Sequence, residues 1–406
     1  MSEESVAQPQ QSLPGFLTWV GVVGLVYLLL VGVGTIGEGF RWVSGGGEGA
    51  VAIFSFASNP VVGVILGILA TALVQSSSTV TSVIVGLVAG GVPVSIAVPM
   101  IMGANMGTTI TNTIVSLGNL REIQSFKKSF QAATVHDFFN LYSIFIFLPI
   151  EIMFSPLARM AGTMSTWFVG TGSASVKELN FLGALTKPAS SAITDAVVLV
   201  PVLGGYLAIA IGIGIVIGSV IYLGQMLRGV MIGKAKDIIQ LAIGHSRLAG
   251  VGSGTAITIL VQSSSTTTSL IVPLAGAGVL SLKQVFPFTM GANIGTCITA
   301  LLAATAVSGP NEALALQIAL VHLLYNVFGV VVFLYTPWLK DLPIRSAEWL
   351  GDLTERSRGF AFTYLIGVFF ILPGTVLGGE KVFSAQRDAP VGQETRGQID
   401  KDIDLQ

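Results

Sequence analysis

LVQSSSTVTS, residues Leu73 to Ser82, sets five consecutive hydrogen-bonding side chains, Gln75 to Thr79, in a run from Gly49 to Leu120 that holds no Asp, Glu, Lys or Arg. Successive helical residues point about 100° apart, so five polar residues in a row cannot all face one neighbouring helix. A continuous membrane helix would turn some of these hydroxyls toward lipid. A re-entrant hairpin with its tip at QSSST would instead keep them in a polar cavity or buried in protein, where irregular backbone is tolerated at membrane depth. Thr81 and Ser82, taken alone, read as ordinary helix-packing residues.

The composition is that of an integral membrane protein. The chain has 406 residues, 52% hydrophobic and 10% charged, with a mean hydropathy of +0.80, whereas soluble domains carry roughly 25% charge. Apolar stretches near the ~20 residues needed to cross a bilayer recur at 16–35, 93–117, 129–150, 197–224, 284–308, 313–337 and 360–377. Shorter ones at 61–74, 78–92, 251–261 and 266–280 read as half-crossings. The opening MSEESVAQPQQSLPG has two glutamates and no Lys or Arg, so it reads as a polar tail ahead of a retained helix and not as a signal peptide. Twenty basic against 21 acidic residues leave no basic stripe for nucleic acid. A single cysteine, Cys297, excludes an intramolecular disulfide and a thiolate metal cluster.

The opening stretch is written twice. LVQSSSTTTS runs from Leu260 to Ser269, MGANMGTTIT (Met102 to Thr111) is answered by MGANIGTCIT (Met290 to Thr299), and VHDFFN (Val135 to Asn140) by VHLLYN (Val321 to Asn326). The three motifs keep their order at an offset of 186 to 188 residues. The basic residues then orient the copies. Residues 36–60 hold only Arg41, while 225–250 hold Arg228, Lys234, Lys236 and Arg247; Arg121, Lys127 and Lys128 follow the first copy. Because Lys and Arg concentrate on the cytoplasmic side, copy one should run inward and copy two outward.

The expected fold class is therefore an all-α integral membrane protein of two inverted-topology repeats, each with a re-entrant helical hairpin and discontinuous helices. That architecture places transporter sites near the midplane. The chain divides into a polar tail (1–15), a first transmembrane helix and extracellular loop (16–60), repeat 1 (61–150), connecting helices and loops (151–249), repeat 2 (250–337), a cytoplasmic loop and last helix (338–377) and a polar tail (378–406). That last tail is low in aromatics and reads as disordered. By parity the N-terminus lies inside and the C-terminus outside.

The motifs carry chemistry. GAN-x-GT, with two glycines around an asparagine, reads as an unwound turn exposing oxygen ligands to sodium, a hard cation; the competing reading is a glycine packing notch. Thr108 and Thr111, and Thr296 and Thr299, lie three apart on one helix face. His136 and Asn140, and His322 and Asn326, are i,i+4 pairs that read as buried groups hydrogen-bonded between helices. Asp137 is a carboxylate inside a span, which marks an ion path or a paired partner; its counterpart is Leu323. No Arg or Lys lies in any motif, so an anion held there needs hydroxyl and amide donors, helix N-termini and co-bound cations.

These residues resemble the type II sodium-dependent phosphate cotransporters. The paired QSSST, both GAN-x-GT motifs, ATVHDFFN followed by FLPIE (Phe147 to Glu151), and LPIR (Leu342 to Arg345) occur in that family's order across about residues 17 to 378. The resemblance implies sodium-coupled phosphate import by alternating access. It implies phosphate at Gln75, Ser76, Ser77, Ser78 and Thr79 and at Gln262, Ser263, Ser264, Ser265 and Thr266. Sodium would lie at Gln262, Ser263, Asn293, Thr296 and Thr299, at Gln75, Asn105, Thr108 and Thr111, and at Asp137, which accompanies electrogenic transport in the family. His136, Asn140, His322 and Asn326 would support the site. Sodium ions are the coupling ions and no cofactor is implied; the partners are phosphate, sodium and the bilayer, with monomer and homodimer both compatible.

The chain departs from the family in having Ala104 and Ala292 where some members have Ser, and in a short, cysteine-free region 171–196 in place of the long disulfide-bearing loop of animal members. Those members also have a final helix that this sequence is expected to lack. The compact form resembles bacterial members and implies a bacterial inner membrane. Alternatives are another small oxyanion or a dicarboxylate as cargo, an intramembrane serine hydrolase using His136 or His322, or a passive channel.

Overall fold

The computed structural model describes residues 15–170, 174–200, 203–242 and 246–387, and all regular structure among them is helical. The first half holds α1 (Gly15–Ser44), α2 (Gly47–Ile53), α3 (Pro60–Val74), α4 (Ser77–Gly90), α5 (Val94–Gly107), α6 (Ile110–Ser116) and α7 (Ile123–Phe154). Next come α8 (Pro156–Gly170), α9 (Ala174–Val198) and α10 (Gly204–Ala242). The second half has α11 (Arg247–Val261), α12 (Ser264–Gly276), α13 (Leu282–Thr305) and α14 (Glu312–Tyr335), followed by α15 (Leu342–Arg356), α16 (Gly359–Ile366) and α17 (Leu372–Arg387).

Seven spans are long and apolar enough to cross a bilayer: Phe16–Ser44, Val94–Asn119, Ile123–Phe154, Gly204–Leu227, Leu282–Thr305, Glu312–Tyr335 and Gly359–Gly379. Each answers one of the seven long apolar stretches of the sequence. The α3 and α11 helices, at 15 residues each, reach only about 22 Å at 1.5 Å per residue, short of the ~30 Å hydrocarbon core.

Four boundaries differ from the sequence reading. Helix α1 runs to Ser44, so Glu38 and Arg41 are helical residues and not loop residues. The span within 197–224 starts later than expected: α9 ends at Val198 and α10 starts at Gly204, where two glycines let it abut Trp42 and Val43 of α1. The loop expected after α14 contains α15, whose apolar side docks on α7 while Lys127 reaches Asp352 and Glu355, both at 2.7 Å. The polar tail expected from 378 starts later, because α17 continues to Arg387 and packs Val376 and Leu377 into the core beside α3. The tails 1–14 and 388–406 lie outside the described residues.

Glycine decides the packing between paired helices. α3 lies along α5 and α11 along α13. A Cβ on Gly103 would sit 1.9 Å from the Val64 carbonyl oxygen, and one on Gly291 would sit 2.0 Å from that of Val251. Such backbone-to-backbone approach is the way membrane helices associate without a hydrophobic driving force. The halves then interlock, since α4 packs on α13 and α14 while α12 packs on α6 and α7. Glu151, buried at the end of α7, accepts from the Leu157 and Ala158 amides at 2.8 and 3.0 Å and so caps α8.

Candidate functional site

The helix break in LVQSSST is narrower than five residues. Gln75 closes α3 in the left-handed conformation (φ 59) and Ser76 is extended, after which Ser77, Ser78 and Thr79 already form the first turn of α4. Gln262 (φ 54) and Ser263 repeat this between α11 and α12. A left-handed non-glycine residue costs roughly 1–2 kcal/mol, and the two glutamines are two of only three among the described residues.

Side chains hold each tip in the same way. Ser76 Oγ accepts from the Thr79 amide at 3.2 Å and from the Thr79 hydroxyl at 2.9 Å; Ser263 Oγ accepts from those of Thr266 at 3.2 and 3.0 Å. The Gln75 amide donates to Ala72 O at 2.6 Å and its Oε1 accepts from Thr111 at 2.8 Å. Gln262 donates to Ile259 O at 2.6 Å and accepts from Thr299 at 2.8 Å. The serine caps satisfy the third amide of each helix, leaving earlier amides, of Ser77 and Ser78 or Ser264 and Ser265, without an intrahelical acceptor at a positive helix end. Ser77, Ser78, Thr79, Ser264 and Ser265 are buried, as is Gln262, whereas Gln75 is exposed.

GAN-x-GT is not an unwound turn. Gly103 to Asn105 lie in α5, Gly291 to Asn293 lie in α13, and α13 runs unbroken to Thr305. Only the first copy loosens, at Thr108 and Thr109, whose amides bond three residues back to Asn105 and Met106. The glycines are packing notches for α3 and α11, so the competing reading holds. Thr108 and Thr296 turn their hydroxyls onto Ala104 O and Ala292 O at 3.2 and 3.1 Å.

The asparagines and histidines clasp the two halves crosswise. His136 Nε2 meets Asn293 Oδ1 at 2.7 Å, and Asn293 donates to Asn140 Oδ1 at 2.8 Å. Conversely, His322 Nε2 meets Asn105 Oδ1 at 3.0 Å, and Asn105 donates to Asn326 Oδ1 at 2.7 Å. Each GAN asparagine is thus held by the His and Asn of the other half's motif, all of them buried. Asn140 also donates to Asn105 O at 3.1 Å, joining the two clasps. All four of these residues are hydrogen-bonded between helices.

A family model described as Na+/Pi-cotransporter matches residues 28–176 and 215–343, the segments that carry all three motif pairs. The chain belongs to the Na+/Pi-cotransporter family. It is similar to sodium-dependent phosphate transport protein 2A of Rattus norvegicus, with 31% identity over 93% of this chain and 71% of the relative. The corresponding protein 2A of Oryctolagus cuniculus is 32% identical over 88% of this chain and 66% of its own length. Protein 2B of Homo sapiens is 30% identical over 88% and 64%. The chain thus spans about two thirds of the length of these relatives. No solved structure matches it.

Membership of the Na+/Pi-cotransporter family makes the chain a multi-pass membrane transporter and not an enzyme. His136 and His322 are both engaged by asparagines. Asp137 is fully buried on α7, accepts from the Tyr364 hydroxyl at 2.8 Å through Oδ2, and leaves Oδ1 without a hydrogen-bond partner.

The structure adds residues that the motifs did not flag. Asn112 on α6 accepts from Thr268 of α12 at 2.7 Å and lies 3.5 Å from His136 Nδ1. It stands next to Thr111, which holds the first tip, while Thr268 is bonded to Ser264 O at 2.8 Å in the second. The two tips are thereby tied through adjacent residues. Its repeat counterpart is Ala300, so symmetry hid it; an Asn within an apolar helix was the available signal. Tyr364 falls outside the family-model segments altogether.

Proposed function

We propose that the chain imports inorganic phosphate with sodium by alternating access, and that the two QSSST tips hold the phosphate. The observation that carries this reading is the repeated tip: a left-handed glutamine, a capping serine and a helix N-terminus whose first serines are buried, in motifs free of Lys and Arg. Amides and hydroxyls at such an end suit a compact oxyanion with many acceptors. With no protein cation in the motifs, co-bound sodium supplies the neutralising charge, which makes coupling obligatory.

The sodium ligands are taken from the seams beside the tips. Gln262 Oε1 and Thr299, with Ser263 and Thr296, form one set; Gln75, Thr108 and Thr111 form the other. Asn105 and Asn293 enter as positioning groups, because their side chains are spent on the crosswise clasp. Asp137 takes a further cation through its free oxygen, making transport electrogenic. On this reading the halves are inverted repeats, α3–α4 and α11–α12 are re-entrant hairpins, and a bacterial inner membrane is the location.

Competition tests the cargo. In proteoliposomes, arsenate should suppress labelled phosphate uptake, and sulfate or succinate at equal concentration should leave it unchanged. Suppression by succinate equal to that by arsenate would transfer the reading to a dicarboxylate.

A further inference from the structure

Two buried hydroxyls one helical turn before the tips have no partner. Thr71 and Thr258 are both fully buried, and the Oγ1 of each lacks any hydrogen bond. They occupy matching places, in TALVQSSST and TILVQSSST. Most threonines in these helices bond to a carbonyl three or four residues back, as Thr108, Thr113 and Thr296 do. An unmade buried hydroxyl is unfavourable, so its occurrence twice at equivalent positions calls for a partner of another kind.

The surroundings say which kind. The amides of Gln75 and Gln262 bond to Thr71 O and Thr258 O at 2.8 and 2.7 Å, stacking each threonine under its glutamine. Across the seam, a Cβ added to Gly107 would lie 2.7 Å from Thr71 Cβ, and one on Gly295 would lie 2.6 Å from Thr258 Cβ. These glycines immediately precede Thr108 and Thr296. Each of these threonine side chains therefore packs in the seam next to the glycine before Thr108 or Thr296, one turn below the glutamine whose Oε1 accepts from Thr111 or Thr299. Those groups are neutral oxygens, the ligand type that a hard monovalent cation takes, and no Lys or Arg lies in either motif to compete.

We infer that Thr258, and in the other half Thr71, supplies a direct sodium ligand in these seams. The inference rests on the proposed placement of sodium beside the tips and adds two ligands to it. The glycine notch then has a second effect: it lets the Thr71 and Thr258 side chains pack directly against the neighbouring helix, where a larger residue would displace them.

Purified protein in detergent tests this through sodium-dependent thermal stabilisation, titrated against choline at constant ionic strength and without phosphate. Wild type should be stabilised by sodium. Thr258→Val removes the hydroxyl at nearly constant volume; its midpoint in choline should equal or exceed wild type, since an orphan polar group has gone. Its half-saturating sodium concentration should rise about tenfold or more, the range of a charge-assisted contact, and Thr258→Ser should restore it. Thr71→Val and Thr71→Ser repeat the measurement in the other seam. Half-saturating sodium within about twofold of wild type in both valine variants, or a lower midpoint in choline with unchanged sodium dependence, overturns the inference. Absence of sodium-specific stabilisation in wild type overturns the placement of sodium itself, so the two failures are distinct.

Discussion

The Tyr364 hydroxyl donates to Asp137 Oδ2 at 2.8 Å while Oδ1 of the same buried carboxylate has no partner. One oxygen is thus held by Tyr364, and the Thr109 and Thr113 side chains stand beside the same carboxylate without an aligned bond to Oδ1. A half-satisfied buried carboxylate is unfavourable unless something positive joins it. Leu323 in the second half offers nothing comparable. Asp137→Gly should reduce or abolish phosphate-dependent current while sparing part of the uptake. Tyr364→Phe should act in the same direction but more weakly, through sodium dependence. Current and uptake recorded on the same preparation check both, and an unchanged current in Asp137→Gly would remove the aspartate from charge movement.

The crosswise clasp predicts where stability resides. Asn293 serves both His136 and Asn140, so Asn293→Ala orphans two buried groups at about 1–3 kcal/mol each. Thermal unfolding should show a clearly lowered midpoint, and Asn105→Ala should behave alike because it serves His322 and Asn326. If either variant melts like wild type, the clasp does not hold the halves together.

Much of this was legible in the sequence, and the exceptions have physical reasons. Seven apolar stretches gave seven spans because length and hydropathy alone decide what can cross a bilayer. His136, Asn140, His322 and Asn326 were readable as interhelical partners from their i,i+4 spacing. Their exchange between halves was not, because spacing along one helix says nothing of which neighbour it meets. GAN-x-GT misled for a related reason: glycines that unwind a helix and glycines that admit another backbone look the same in one dimension, and contact with Val64 and Val251 decides between them. Tyr364 carried no pattern, since it belongs to neither repeat. Nothing in the sequence separates Thr71 and Thr258 from ordinary packing residues; only their unpartnered hydroxyls do.

The glycine notches make a sharp contrast available. Gly103→Ala and Gly291→Ala place a methyl against a backbone carbonyl at about 2 Å, an overlap that no rotamer change relieves. Each should destabilise by about 1–3 kcal/mol or more and lower the yield of folded protein. Gly214→Ala, on α10 with nothing within 4 Å of the added carbon, should be neutral or stabilising by up to about 1 kcal/mol from helix propensity. Equal midpoints for all three would mean that α3 and α11 do not pack backbone to backbone.

The tips themselves can be separated into cap and ligand. Ser76→Ala and Ser263→Ala each remove an N-cap worth about 1 kcal/mol, so both should lower the unfolding midpoint modestly. Ser77→Ala and Ser264→Ala remove hydroxyls that cap nothing, and should leave the midpoint unchanged while raising the phosphate concentration for half-maximal uptake. A reversal of that pattern would assign phosphate to the capping serines.

Sodium-driven phosphate accumulation is the central claim, and one measurement addresses it directly. Proteoliposomes holding the purified chain are given an inward sodium gradient, or an equal potassium gradient, and labelled phosphate inside is followed with time. Sodium should drive transient accumulation above the external concentration, abolished by a sodium ionophore, with no such overshoot in potassium. Equal phosphate entry under the two gradients would contradict the account.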